Sequence, residues 1–321
     1  MILSSTDTCL EDTIKEINSG YPSAIFLSQD EILLVEGYTD KKFYQRFTNL
    51  SVIAVNELKN SYPEKHATDG SCRQIIIQSI QNQKTNSIFH WYGIMDADYE
   101  YTRPTIPTNL TENLIFTNEN SLETMLVNCA GVENFEKFVQ KKIYWNLIKN
   151  YCLTNSIVEL AIEYSFRIGC LRAKNDKLNL GLNFSGINNY CEYLHYSTPE
   201  QKIVNGKEKY TYGITFDFED YKKKLIEISN VNSFSKIGLE NVGEVSFSIQ
   251  TSPWQKFCQG HDICNFIGAM NSLNKEISKN KKKIPSNKAF ENILVEKFPE
   301  KYFKDSCLEK WLSAKNTSNP I

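Results

Sequence analysis

Short apolar runs alternate with stretches of helical spacing through the first 130 residues of the chain. Leu10–Ile17 has helical spacing, and Ile32–Val35 is a short apolar run bounded by Gly37. In Asp40–Phe47 the side chains of Phe43, Tyr44 and Phe47 recur at helical offsets. The same reading predicts strands over Val52–Val55, Ile88–Met95 and Leu114–Phe116, and helices over Arg73–Ile80 and Leu122–Val127. Such alternation predicts an α/β fold, a Rossmann-like and mainly parallel sheet with helices on both faces. Beyond residue 131 the spacing becomes largely helical, over Phe135–Leu147, Ile157–Leu171, Tyr221–Ile228, Ile263–Leu273, Phe290–Phe298 and Cys307–Leu312. Polar Ser197–Lys209 and Ser278–Lys288 read as solvated loops. The pattern therefore predicts two domains, an α/β domain over 1–130 and a mostly helical domain over 131–321.

Composition narrows what such a protein can do. With 321 residues, 41% of them hydrophobic and 12% aromatic, the chain can bury a sizeable core. Its 36 Lys and Arg nearly balance 38 Asp and Glu, so a net charge of -2 supplies no global field for a polyanion, and any nucleic-acid contact has to be local. No apolar run reaches the roughly 18 residues a bilayer span needs, and the first residues lack a basic region followed by an apolar one, which predicts a cytoplasmic protein without a membrane partner. The nine cysteines are scattered without a C-x-x-C pair, which predicts reduced, mostly buried thiols. No phosphate-binding G-x-x-x-x-G-K-[ST] loop is present, since Gly206-Lys207 is followed by Glu208, so ATP would have to be bound by another chain.

The chemistry gathers at predicted strand ends. In the run from Ile32 to Phe47 a strand delivers Glu36 at its carboxyl end, Gly37 permits a tight turn, and Asp40 falls in the first turn of the next helix. A later strand ends in Asp96 and Asp98, which extended backbone would point to one side. A third element places Glu119, Ser121 and Glu123 around a helix start. Carboxylates so gathered repel one another unless a cation sits among them, and hard divalent ions take oxygen ligands. Mg2+ or Mn2+ is the expected cofactor, and phosphodiester chemistry the expected reaction class.

Three segments together, Val35-Glu36-Gly37-Tyr38-Thr39-Asp40, Gly93-Ile94-Met95-Asp96-Ala97-Asp98 and Leu122-Glu123-Thr124-Met125-Leu126, resemble the TOPRIM fold. In particular they resemble a TOPRIM-like family whose members accompany ABC-type ATPases in bacterial defence loci, and to which the effector nuclease of the PARIS anti-phage system belongs. Arg167–Arg172 and Gly260-His261-Asp262 extend the similarity along most of the chain. The resemblance implies a toxic endonuclease effector with Glu36, Asp96 and Asp98 as catalytic residues. It implies Glu36, Asp40, Asp96, Asp98 and Glu123 as metal ligands, tRNA as the substrate, arrest of translation as the outcome, and a separately encoded ABC-type ATPase as the partner. Where relatives often carry Asp just before Leu-Glu, this chain has Ser121, which coordinates a metal less readily. A DNA endonuclease, a small-nucleotide phosphotransfer enzyme and a non-catalytic docking subunit for an ATPase are the rival expectations. A long substrate favours a homodimer, which offers more than one binding surface.

Weaker candidates lie further along. His261, opening a predicted helix beside Asp262, can position a scissile phosphate or move a proton, or else simply packs at a helix start. Lys174 can supply a cation near a phosphate or be an ordinary surface lysine. Lys279, Lys281, Lys282, Lys283 and Lys288 can follow a phosphate backbone or remain solvated. Trp91 and Tyr92, inside a predicted strand, are expected in the core.

Overall fold

The computed structural model describes residues 31–57, 72–81, 90–98, 112–117, 119–142, 151–153, 156–187, 189–197, 200–204, 207–231, 245–278 and 287–316. The segments Leu10–Ile17 and Lys279–Lys283 lie outside them. In chain order these residues form β1 (Glu31–Val35), α1 (Tyr38–Tyr44), β2 (Ser51–Ala54), α2 (Cys72–Gln81), β3 (His90–Met95), β4 (Leu114–Phe116), α3 (Leu122–Ala130) and α4 (Val132–Lys142). Then come β5 (Tyr151–Leu153), α5 (Ile157–Leu178), β6 (Leu194–Tyr196), β7 (Glu200–Val204), β8 (Lys207–Tyr212), β9 (Ile214–Phe216) and α6 (Phe218–Ser229). The chain closes with α7 (Trp254–Phe257), α8 (Gly260–Ser278), α9 (Asn287–Lys297), α10 (Glu300–Phe303) and α11 (Cys307–Asn316). None of the described helices is long and apolar enough to cross a membrane.

The chain divides into two compact units, and not by one cut after residue 130. The first takes the described parts of Met1–Ala97, Thr105–Asn118 and Pro299–Ile321, and the second those of Asp98–Pro104 and Glu119–Phe298.

The first unit is α/β and Rossmann-like. Its four strands run parallel in the order β2-β1-β3-β4, with Leu34 opposite Ile53 and Gly93, and Ile94 opposite Ile115. Ile32, Leu34, Ile53, Trp91, Met95 and Leu114 form one apolar face, which α2 covers with Ile76 and Ile80. Gly93 makes that approach possible. A Cβ there would stand 2.5 Å from Ile80 Cδ1 and 2.6 Å from Ile76 Cγ2, so a larger residue would have to push those side chains aside for the helix to lie this close to β3. The opposite face packs against α1 and the chain's last helices: Phe303 meets Phe43 edge-on with ring centroids 5.1 Å apart, and Trp311 meets Tyr92 at 6.1 Å. Trp311 also donates its indole N–H to the Glu112 carbonyl, and the Thr48 hydroxyl reaches Asn316 Oδ1 at 2.7 Å. Residues 299–316 therefore complete the α/β unit, although their spacing alone reads as a continuation of the helical region. Trp91 and Tyr92 are both buried, as expected of core residues.

The second unit is built on α5 and α8, but it is not helical throughout. A three-stranded sheet, β5-β8-β7, and a β6-β9 pair lie within it. Ser197–Lys209, expected as a loop, instead carries β7 and the start of β8, whose antiparallel register pairs Val204 with Lys207. The main-chain pairing leaves Ile203 of β7 77% exposed, so it does not rest on burying that side chain. That is why hydrophobic alternation missed it; the Asn205-Gly206 dipeptide between the paired residues is the signal that identifies it. Close packing again depends on glycine: a Cβ at Gly169 of α5 would come within 2.0 Å of the Phe257 carbonyl oxygen. Among the described cysteines Cys258 and Cys264 are fully buried, Cys307 is exposed and Cys72, Cys129, Cys170 and Cys191 are half-buried, all as free thiols.

Candidate functional site

In a parallel sheet of order β2-β1-β3-β4, the connection from β1 to β2 runs one way across the sheet, and the one from β2 to β3 runs the other. Such a reversal, here at the carboxyl ends of β1 and β3, is where open α/β sheets place their ligands. Glu36, Gly37 and Asp40 follow β1 at this rim, and Asp96 follows β3. The sequence argument for two carboxylates converging there concerns this place.

The local geometry of the rim is tightly specified. Gly37, extended at φ -130°, is the cap of α1, and its N–H donates to Asp40 Oδ2 at 2.9 Å. Asp40 thus stabilises the start of the helix that carries it. Glu36 Oε1 accepts from the Asp96 N–H at 3.1 Å, which joins the ends of β1 and β3. The backbone of Asn56, just beyond β2, donates to the Glu36 carbonyl at 3.2 Å. Thr117, just beyond β4, accepts the Ala97 N–H on its hydroxyl at 3.1 Å.

One cation at this rim escaped the sequence reading. Arg73, in the first turn of α2, places Nη2 3.7 Å from Glu36 Oε1 and donates to the Asp96 carbonyl. Its side chain is 16% exposed and that of Glu36 25% exposed, so solvent reaches the pair only in part. The readable signal was positional: a helix leading into a parallel strand begins at the sheet's carboxyl rim, so its first turn lies there.

The D-x-D pair behaves differently from the expectation. Extended backbone ends with β3 at Met95, and Asp98 is left-handed at φ 38°. The alternation that would aim Asp96 and Asp98 alike therefore stops short of Asp98. Asp98 is exposed, and its N–H donates to the Asn120 carbonyl at 2.9 Å. By contact, Asp96 belongs to the first unit and Asp98 to the second.

Glu123 also lies in the second unit, on α3, and is buried. Its carboxylate packs against the start of α8, where a Cβ on Gly260 would meet Glu123 Oε2 at 2.1 Å and Ser121 Oγ at 2.4 Å. Ser121 caps α3 and accepts the Gly260 N–H at 3.0 Å. Ser121 is thus a structural joint between two helix starts. Glu119 is buried with Oε1 accepting from Asn128 Nδ2 at 2.7 Å, and burial raises its pKa above the ordinary carboxylate value.

His261 sits between two carboxylates of the second unit. Its Nδ1 is 3.1 Å from Glu291 Oε1 and 4.0 Å from Glu123 Oε1. The hydrogen bond to Glu291, with the charge of Glu123 next, pushes the imidazole up to about 10, although two-thirds exposure lets solvent screen part of that attraction. Asp262 turns away from this group into the core, where Arg172 binds it through Nη1 and Nη2 and the Tyr190 hydroxyl donates to it. Arg167 pairs instead with Glu163 at 2.6 Å, so the two arginines serve different partners. Lys174 is half-buried on α5.

A divalent ion fits these residues poorly as they stand. Such ions take six or more oxygen ligands. Among the described residues, however, no three His, Cys, Asp or Glu side chains are grouped to hold one. At the rim of the first unit the charge of Glu36 faces Arg73, and Asp40 closes on its own helix start.

No protein-family model matches the chain, and no curated protein or solved structure matches it either.

Proposed function

We propose that the chain is a metal-dependent endonuclease whose acidic site lies at the carboxyl rim of β1 and β3. The observation that carries this reading is the position of Glu36 and Asp96 at the point where the strand order reverses, linked by the Asp96 N–H bond to Glu36. Acids at such a switch point suit general acid or base work on a phosphodiester, and Mg2+ or Mn2+ is the expected cofactor. A role as the toxic effector of an anti-phage system, with a separate ABC-type ATPase as partner and tRNA as substrate, follows from the TOPRIM-like sequence resemblance alone.

The ion pair between Glu36 and Arg73 favours a second reading, a non-catalytic docking subunit in which the acidic rim is closed on its own arginine. Induced expression with the partner ATPase and a phage trigger separates the two. Wild type and Glu36→Gln are compared by sequencing cleaved RNA ends and by gels of genomic DNA. Discrete tRNA cuts that vanish in Glu36→Gln support the ribonuclease. DNA cuts lost in the same variant keep the nuclease and move its substrate. Equal protection by both forms, with neither nucleic acid cut, leaves the docking subunit.

A further inference from the structure

We infer that Tyr38 is a stacking platform for an unpaired nucleobase, and that Lys42 beside it meets the neighbouring phosphate of the same strand. The inference rests on the nucleic-acid reading of the rim, and it names the residues that hold the strand there. It needs no metal ion. Among the described residues of the first unit, Tyr38 is the one large apolar side chain that stands exposed, at 48%. It opens α1 directly after Gly37 and two residues beyond Glu36, at the carboxyl rim where the strand order reverses.

Neither burial nor helix formation accounts for an aromatic ring at this place. The buried side chains of α1 are Phe43 and Tyr44, so Tyr38 is not part of the face that the helix turns to the core. Aromatic side chains also lose rotamer freedom in a helix, and many other residues form one more readily. What the ring does have is a cation one helical turn away. Lys42 Nζ lies 4.9 Å from the centroid of the Tyr38 ring, within reach for side chains four apart on a helix. The preceding lysine goes elsewhere, since Lys41 Nζ binds Glu57 Oε2 at 2.8 Å. The nearby acids are engaged as well, Glu36 facing Arg73 and Asp40 accepting the Gly37 N–H. A polyanion that approaches Tyr38 therefore meets a lysine, beside acids that already have partners of their own.

An exposed aromatic ring with a cation next to it suits a single strand. The face of a base stacks on the ring whatever the sequence, and the ammonium meets the backbone. In a chain of net charge -2, contact with a polyanion has to be local, and this pair is local. A base inside a duplex keeps its faces within the stack, so the platform selects the unpaired bases of loops, bulges and ends. A strand held at Tyr38 is held at the same rim as Glu36 and Asp96.

The test is fluorescence anisotropy of the full chain in EDTA with labelled RNA and DNA strands of one mixed sequence, about 12 nucleotides long and so within the span such sites cover. An RNA strand of the same length built from abasic nucleotides is the control. EDTA stops metal-dependent cleavage, so binding is read apart from catalysis. Wild type, Tyr38→Phe, Tyr38→Ala and Lys42→Gln are compared, each checked for folding by circular dichroism. Tyr38→Ala should bind the base-bearing strands about tenfold more weakly than wild type, while Tyr38→Phe retains binding. Neither change should alter the weaker binding of the abasic strand. Lys42→Gln should weaken all strands alike and lower the salt dependence of binding. Unchanged binding in Tyr38→Ala, or a loss equal on base-bearing and abasic strands, overturns the platform and leaves the nucleic-acid reading standing. Unchanged binding in Lys42→Gln overturns the phosphate contact. No binding of RNA or DNA by wild type overturns both the platform and that reading.

Discussion

Each unit of this protein holds an arginine against a carboxylate, and the two pairs stand in opposite environments. In the first unit Arg73 and Glu36 meet at 3.7 Å with side chains 16% and 25% exposed, at the carboxyl rim of the sheet. In the second, Arg172 grips Asp262 through Nη1 and Nη2, Tyr190 adds a third hydrogen bond, and the aspartate side chain is 4% exposed. The ring of Tyr190 is itself stacked on Phe266 at 4.2 Å. The buried pair is held by three hydrogen bonds around an aspartate that solvent barely reaches. The rim pair keeps loose geometry and contact with water, so its partners can be exchanged. Chemical identity alone does not make a site; spare coordination and access do.

The sharpest way to break this comparison is to remove one partner from each pair and measure stability. Asp262→Ala strands a guanidinium that is only 13% exposed, and should cost about 3–5 kcal/mol in urea unfolding. A loss below about 1 kcal/mol would mean that the core network contributes little. Glu36→Gln should cost less than about 1 kcal/mol by the same measurement, because a long, partly solvated ion pair is worth little to folding and Gln Oε1 can still accept the Asp96 N–H. If that substitution destabilised the protein as much as Asp262→Ala, the rim would be a structural joint and its claim to chemistry would lapse.

The smallest effect concerns His261, which stands between these extremes: exposed itself, yet facing two carboxylates. Its folded-state pKa of about 10 lies above the ordinary 6.5, so the protonated form favours the folded state. That contribution is fully present below pH 6.5 and disappears as pH rises through about 10. The stability difference between wild type and His261→Gln should therefore shrink steadily from pH 6 to pH 10, modestly because the imidazole is exposed. A difference that grows with pH would show that the histidine acts in its neutral form.

Much of the fold was legible in the chain itself. Strands at 32–35, 52–55 and 114–116 appear within a residue of their predicted bounds, because short apolar runs bounded by turn residues have few other uses. The helix starting near Ile157 was also readable, but it runs on to Leu178, since polar Lys174 and Asp176 carry no apolar periodicity to mark its last turns. The acids after β1 and β3 were found where the strand-order reversal needs them. The reading failed where a residue's role depends on a distant partner. Ser121 is a joint only because Gly260 meets it, and Asp262 is a core anion only because Arg172 and Tyr190 arrive from other segments.

The sequence by itself determined the alternation that makes a parallel α/β sheet, the placement of Glu36 and Asp96 at strand ends and of Asp40 in the helix turn that follows, and the near-neutral charge that confines any polyanion contact to a local surface. These follow from local periodicity and composition, which a linear reading can count. Only the tertiary structure decided that residues 299–316 return to complete the first unit, and that Asp98 leaves the extended backbone. It alone placed Arg73 against Glu36. Those facts depend on contacts between segments tens to hundreds of residues apart, and such contacts are fixed by packing, which no local pattern encodes.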